Sequence, residues 1–364
     1  MNHLNEKRVL QAKRSSRFPG IRLGPKELSA LFLIFFITIF PDISRGEKAN
    51  PWTHSFYFEN DLFTGTDSNY TNGIKYAVIS PDLSPNAKTS GNVPEKVLNW
   101  IHKIPFIKET PPETSHKVEF AAGQNMFTPA DTAAHDLDET DRPYAGWTYL
   151  ATSYHHKSDI TPRQSIMDTV ELQLGMVGPA SLAENSQKFI HRLRNLQTPN
   201  GWEHQLSNEP GVIIAWERKW LCHPVKQGLG WDTICHTGFT LGNVSTYING
   251  GMELRFGWNI PKSFGVSLIR PAGSTRMNVA ENPGFYLLAA GNARWVIRDI
   301  FLDGNTFTRS HSVDKKPLNA DFSAGIAFSW HRLMVTLTQV LETEKFDGQS
   351  DPHTYGALSL SWFF

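Results

Sequence analysis

The chain has 364 residues with 35 basic and 35 acidic side chains, a formal net charge of zero that carries no footprint for nucleic acid. Charged residues are only 19% and aromatics 12%, a balance that leans away from a cytosolic enzyme and towards membrane-contacting β structure. No stretch reaches the roughly 20 apolar residues that a spanning helix needs.

The longest apolar stretch, Leu28 to Phe40, follows a basic leader (Lys7, Arg8, Lys13, Arg14, Arg17, Arg22, Lys26) and precedes Pro41-Asp42-Ile43-Ser44-Arg45-Gly46. That layout is a secretory signal peptide with a long basic region, so residues 1–48 are expected to lie outside the fold. An uncleaved N-terminal anchor is the alternative, because no A-x-A cleavage site is present. Cys222 and Cys235 flank one short turn, and in an exported chain this spacing predicts a disulfide.

The body opens on Phe56-Tyr57-Phe58-Glu59-Asn60-Asp61, which alternates aromatic and polar residues as a strand does. It runs into a loop rich in oxygen donors (Asp61, Asp67, Ser68, Thr71), suited either to a hard cation, to a sugar-phosphate ligand or simply to solvent. Period-two segments of about ten residues follow along the whole chain, the signature of an outer-membrane barrel. In 250–259, Met252, Leu254, Phe256 and Trp258 oppose Glu253, Arg255 and Asn259. A soluble sandwich also alternates, but paired charges such as Glu253 and Arg255 suit a polar lumen better. Tyr144, Trp147, Trp216, Trp220, Trp258, Trp330 and Trp362 recur near segment ends and are expected to form interfacial girdles.

Strands are predicted over 53–61, 71–80, 116–127, 145–156, 166–177, 211–221, 233–242, 248–259, 285–299, 319–330, 333–343 and 354–364. The fold class is therefore all-β, a 12-stranded antiparallel transmembrane barrel occupying 49–364. An even strand number places both chain ends in the periplasm and makes the first loop extracellular. The connection 81–115 then becomes a long periplasmic one with a helix near Glu95 to His102. The third extracellular loop, 178–210, carries a short helix. Ser181 with Glu184 is expected to make its capping box, and Glu184, Gln187, His191 and Arg194 are expected to share a polar face. Phe189, Leu193 and Leu196 fall on another.

A histidine on that face with a glutamine one turn away, near the Asn60-Asp61 pair, has the parts for general-base hydrolysis. His191 would take a proton from water, Gln187 would orient it, and a cation at the acidic loop would stabilise the oxyanion. A plain surface histidine is the competing reading. Asp141-Arg142-Pro143-Tyr144-Ala145-Gly146-Trp147 reads as architectural, with Asp141 and Arg142 as a rim ion pair. No G-x-S-x-G, H-E-x-x-H, P-loop or C-x-x-C motif is present.

Phe58-Glu59-Asn60-Asp61, Asn69-Tyr70-Thr71-Asn72-Gly73, Gln124 to Pro129, Asp141 to Trp147, Gln187 with His191, Trp202 to Pro210 and Leu241-Gly242-Asn243 occur in one order across residues 53 to 364. Together they resemble the outer-membrane lipid A 3′-O-deacylase family. The resemblance implies calcium-dependent hydrolysis of an acyloxyacyl ester on lipid A of the outer leaflet, by a membrane-embedded monomer. It casts His191 as the base, Gln187 as its neighbour, Asn60 and Asp61 as the strand-one site pair, Thr71 as the strand-two hydroxyl, and Asp61 as the metal ligand. Two positions depart from the family pattern. Gln197 stands where some members carry an acid six residues after the histidine, and Ala133-Ala134-His135 occupies the region of a basic residue in loop two. The competing functions are a non-enzymatic pore or envelope protein, and a phospholipase-type esterase acting on a different acyl ester.

Overall fold

The computed structural model describes residues 52–61, 69–85, 93–101, 103, 114–195, 197–223, 228–266, 268–274 and 282–363. The expected leader, the loop residues Leu62 to Ser68 with Asp67, and Leu196 lie outside the described residues.

The predicted strands all form: β1 (Thr53–Asn60), β2 (Asn69–Ile79), β3 (Thr114–Thr128), β4 (Ala145–Thr161), β5 (Gln164–Val177), β6 (Glu209–Cys222), β7 (Leu229–Gly242), β8 (Ser245–Trp258), β9 (Gly284–Asp299), β10 (Leu318–Trp330), β11 (Leu333–Glu342) and β12 (His353–Phe363). Each is antiparallel to its chain neighbours, and β1 pairs with β12 from Thr53↔Phe363 to Asn60↔Gly356, closing the sheet into a barrel. Closure leaves no edge strand, which a membrane-spanning sheet requires. The long 80–113 connection contains α1 (Glu95–Ile101), close to the helix expected there. The helix expected in the third loop is α2 (Ala183–Arg194), and α3 (Ile300–Asp303) follows β9.

The alternation read from the sequence is realised inside out relative to a soluble protein. On β8 the charged side chains of Glu253 and Arg255 are buried, while Met252, Leu254, Phe256 and Trp258 are exposed. Such an outer face is stable only against hydrocarbon. Trp258 and Trp330 stand outward as expected of girdle residues. Tyr144 and Trp147 do not. Both are buried: Trp147 has the lumen phase of β4 and stacks on Tyr149 in the barrel core, and Tyr144 packs on Trp202 of the third loop.

The lumen is filled from both rims. Between β8 and β9 the described parts of the 259–283 connection turn back into the barrel as an arm. On this arm Ile269 N–H donates to Glu59 at 2.6 Å. Ser274 Oγ donates to Glu119 at 2.8 Å and accepts from Lys75 at 3.1 Å. Arg270 pairs with Glu217 at 3.0 Å, and Val266 N–H meets Glu253 at 2.7 Å. Arg255 is held by both oxygens of Asp232 and by Ser263. Each of these buried charges therefore has a partner, which its desolvation demands. From the opposite rim, α3 sends in Ile300 and Phe301, and these join one apolar cluster with Ile269 of the arm, Tyr57, Tyr70 and Trp147. Phe127 is sandwiched between the stacked Phe301 ring, 4.1 Å away, and the Arg142 guanidinium, 4.7 Å away.

Two local expectations are corrected. Cys222 and Cys235 are free thiols on the outer wall. In the ladder Cys222 faces Thr233 and Cys235 faces Trp220, so the two cysteines sit diagonally. Diagonal Cα atoms stand roughly 7–8 Å apart, beyond the reach of a disulfide. Asp141 and Arg142 make no side-chain ion pair. Asp141 accepts the backbone N–H groups of Ala130 and Arg142, while the Arg142 guanidinium turns inward, donates to Phe301 O and is lowered from its ordinary pKa by burial.

Candidate active site

The ladder of β1 ends at Asn60, and the register decides which way the site faces. Tyr57 and Glu59 have the lumen phase; Phe56, Phe58 and Asn60 have the outward phase. Asn60 lies opposite Asn72, Asn72 opposite Met126, and Met126 opposite Gly146, so the four form one outward row across β1 to β4. Asp61 is the first residue past the ladder and is fully buried. Leaving the ladder frees it from the alternation, so Asn60 and Asp61 need not point to opposite faces. Asn60 thus lies on the outside of the barrel wall, at the loop-rich rim.

Thr71 reaches this face through a bulge. Tyr70 pairs with Phe127 and Asn72 with Met126, leaving Thr71 as the extra residue of β2. A bulge re-aims its side chain. The Thr71 hydroxyl meets the Thr128 hydroxyl at 2.7 Å, and the Thr71 carbonyl accepts from Asn60 Nδ2 at 3.1 Å. Asn60 and Thr71 are therefore in direct contact. On the lumen side the same two strand ends are tied by Tyr70 O–H, which donates to Glu59 at 2.7 Å.

Helix α2 closes over this wall from outside. Its entry is not the expected capping box. The residue before the helix is Leu182 in a left-handed conformation (φ 60°), with no side-chain cap. Ser181 instead donates to Gly178 O at 2.6 Å, ending a short 3-10 turn, Pro179–Ser181. Ser181 O is pinned to the wall by Gln124 at 2.7 Å and Thr148 at 2.6 Å. Gly146 makes the approach possible, since a Cβ there would lie 2.1 Å from Ser181 Oγ and 2.3 Å from Ala183 Cβ. Ala183 then packs with Met126, Tyr144 and Trp202 in one buried cluster.

The helix turns Ala183, Gln187 and His191 towards the barrel, at a spacing of four, and all three are buried. The expected polar face of Glu184, Gln187, His191 and Arg194 is therefore divided. Glu184 stands on a separate stripe, ion-paired with Lys188 at 2.6 Å; the Arg194 side chain lies outside the described residues. Trp202 Nε1–H donates to Gln187 Oε1 at 2.7 Å, fixing the amide. His191 Nδ1–H donates to the Gln197 backbone carbonyl at 2.6 Å. A carbonyl can only accept, so a neutral His191 ring keeps its lone pair on Nε2. Asn195 makes this bond possible: its left-handed conformation (φ 55°) ends the helix and turns the chain back.

The 132–135 segment, where a basic residue was sought, serves the loop through its backbone. Thr132 O accepts from Asn200 N–H, Ala133 O from Asn200 Nδ2, and His135 meets His204. Trp202, Gln124 and Thr128 escaped the sequence reading as site residues. The signal was present for two of them, since Gln124 and Thr128 are polar at outward positions of a strand that otherwise shows Val118, Phe120 and Ala122 to lipid.

A family model described as Outer membrane protein LpxR matches residues 31–364. The chain belongs to the LpxR family. It lies in the bacterial outer membrane as a barrel of this family, as the sequence resemblance implied. Among solved structures, LpxR from Salmonella typhimurium superposes with a TM-score of 0.66 at 16% identity, covering 86% of this chain and 100% of that one. The β domain of the Bordetella autotransporter BrkA is less similar, with a TM-score of 0.42 at 7% identity over 87% of this chain and 100% of that one. No curated protein shows significant sequence similarity to the chain.

Proposed function

We propose that this LpxR-family barrel is an ester hydrolase that removes the 3′-linked acyloxyacyl chain of lipid A, with His191 as general base. The observation that carries the reading is the buried His191 ring on the barrel-facing side of the loop helix, its Nδ1–H bonded to Gln197 O. A site on the outer side of the wall would take a lipid laterally from the membrane, without a route through the packed lumen.

In the reaction His191 Nε2 accepts a proton from water as the water oxygen attacks the ester carbonyl carbon. The C–O bond to the sugar then breaks, and the proton returns from His191 to the leaving oxygen, giving a free fatty acid and a sugar hydroxyl. Gln187, anchored by Trp202, orients the ring's surroundings and the water. Asn60 and Thr71, bonded to each other, hold the rim ends of β1 and β2 together.

The donors at the rim ends of β1 and β2 suit a hard cation: a buried carboxylate at Asp61, the Asn60 amide oxygen and the Thr71 hydroxyl, all oxygen. Among the described residues no group of three or more His, Cys, Asp or Glu side chains gathers to hold a metal, so such a site would rest on one carboxylate and neutral oxygens. Calcium held there would polarise the ester carbonyl and offset the charge that develops on its oxygen.

Mass spectrometry of lipid A from cells expressing the parent or a folded His191→Ala protein tests the reading. The parent is expected to yield lipid A lacking the 3′-linked chains, and the variant intact lipid A. Intact lipid A with released phospholipid fatty acids would instead assign the phospholipase reading. No released fatty acid from either lipid would leave the barrel non-enzymatic.

A further inference from the structure

Three sets of side chains can be told apart along helix α2, and only one of them faces the barrel. Ala183, Gln187 and His191 face the barrel. Glu184, Lys188 and Arg192, again spaced by four, form a charged stripe, in which Arg192 Nε also donates to Lys188 O at 3.2 Å. The third set is Leu182, Phe189, Ile190 and Leu193, which are 61%, 58%, 43% and 66% exposed. Four large exposed apolar side chains on, or just before, a helix this short are not a solvated loop surface. An apolar face flanked by a cationic one is the pattern of helices that lie in a membrane interface.

The position of the helix names what covers this stripe. Its entry is pinned to Gln124 and Thr148 on the outer wall. The next outward residues down those strands are Ala122, Phe120 and Leu150, and Leu150 pairs across to Leu174. Phe120, Leu150 and Leu174 are exposed members of the band that an outer-membrane barrel shows to acyl chains. The helix entry, with exposed Leu182 next to the pinned Ser181, therefore lies at the upper edge of that band. Lys188 and Arg192 are the described cations on the helix, and they border an open groove of about 330 Å³ with Glu184, Asn185 and Thr198.

We infer that α2 is an interfacial helix: Leu182, Phe189, Ile190 and Leu193 are seated among the outer-leaflet acyl chains, with Lys188 and Arg192 at the level of the anionic headgroups. The lipid seat follows from the barrel's place in the membrane. That the seat also presents substrate to His191 rests on the hydrolase reading above. Substrate then slides under the helix without leaving the leaflet.

The test uses the full mature chain in liposomes of phospholipid and lipopolysaccharide. Cys222→Ser and Cys235→Ser are introduced first, because both native thiols are exposed and would react. Phe189→Cys, Ile190→Cys and Leu193→Cys are then labelled one at a time with an environment-sensitive fluorophore, and Glu203→Cys on the exposed loop serves as the aqueous reference. Heat-modifiable migration confirms that each barrel is folded. Labels at 189, 190 and 193 are expected to emit at shorter wavelength than at 203. They should lose most of their emission to lipids carrying a nitroxide on the acyl chain, and little to aqueous iodide. Quenching by iodide with indifference to the lipid nitroxide would overturn the proposal. So would emission that changes with protein-to-lipid ratio but not with the nitroxide, which would assign the stripe to a second copy of the chain. The readout needs no activity, so it stands or falls apart from the hydrolase reading. As a second arm, Phe189→Ser with Leu193→Ser is expected to slow release of fatty acid from membrane-embedded substrate while sparing the same ester dispersed in detergent. Equal loss on both substrates would refute substrate delivery through this stripe.

Discussion

His191 Nδ1–H donates to the backbone carbonyl of Gln197 at 2.6 Å, so the residue that departs from the family's acid holds the histidine through its main chain. The side chain of Gln197 is exposed and takes no part in that bond. Gln197→Ala is therefore expected to keep hydrolysis within about threefold of the parent, as surface changes usually cost no more than ~0.5 kcal/mol. His191→Ala should lose roughly 10²- to 10⁴-fold, the usual worth of a general base. Steady-state rates on purified lipid A check both. A loss at Gln197→Ala as large as at His191→Ala would mean that the amide itself is needed.

Trp202 Nε1 is bonded to Gln187 Oε1 at 2.7 Å inside the cluster under the helix. Trp202→Phe keeps most of the ring packing but strands a buried acceptor, at about 1–3 kcal/mol. Because that cost falls on the group beside His191, the rate is expected to drop about tenfold with the barrel intact. Heat-modifiable migration separates folding from chemistry, and an unchanged rate would release Gln187 from any positioning role.

Asp61 is the fully buried carboxylate proposed above as the cation's ligand. Calorimetric titration of the detergent-solubilised protein with calcium is expected to show one site that Asp61→Asn removes. Exhaustive chelation should abolish hydrolysis in the parent. Full activity after chelation would eliminate the cation, and heat of binding unaltered in Asp61→Asn would move it elsewhere.

The two cysteines are expected to react. Both are exposed on the outer wall and offset in the ladder. Denatured, unreduced protein should take up two equivalents of maleimide. Uptake of none would restore the disulfide and demand a shifted register between β6 and β7.

The arm that turns into the lumen is expected to block conduction. It is held by Glu59, Glu119, Glu217 and Glu253 at four places around the wall, and its Ile269 meets Phe301 from the other rim in one cluster. Planar-bilayer recordings should show no porin-like steps for the parent. Replacing residues 262–281 by a short Gly-Ser linker should produce them. Steps in the parent would favour the pore reading.

Local pattern alone determined a good deal here. Period-two alternation depends only on which side chains meet lipid and which meet the lumen, so all twelve strands and the closed antiparallel order were legible from segments such as 250–259. The loop helix carrying Gln187 and His191 was legible from residue types at fixed spacing, while the Asn60-Asp61 pair was named through the family resemblance. What lay beyond the sequence was every relation set by long-range geometry. The Thr71 bulge depends on how β2 registers against β3. The bond to Gln197 O depends on a left-handed turn at Asn195. The missing capping box and the missing Cys222–Cys235 bond each follow from a contact or a two-residue offset that no single segment encodes. Filling of the lumen depends on an arm whose polar groups find their partners on β1, β2, β3, β6 and β8 only once the barrel has closed. Alternation is a property of one strand and its two solvents, whereas register, bulges and loop docking are settled by the strands and loops packing against one another, and that is where the site acquires its geometry.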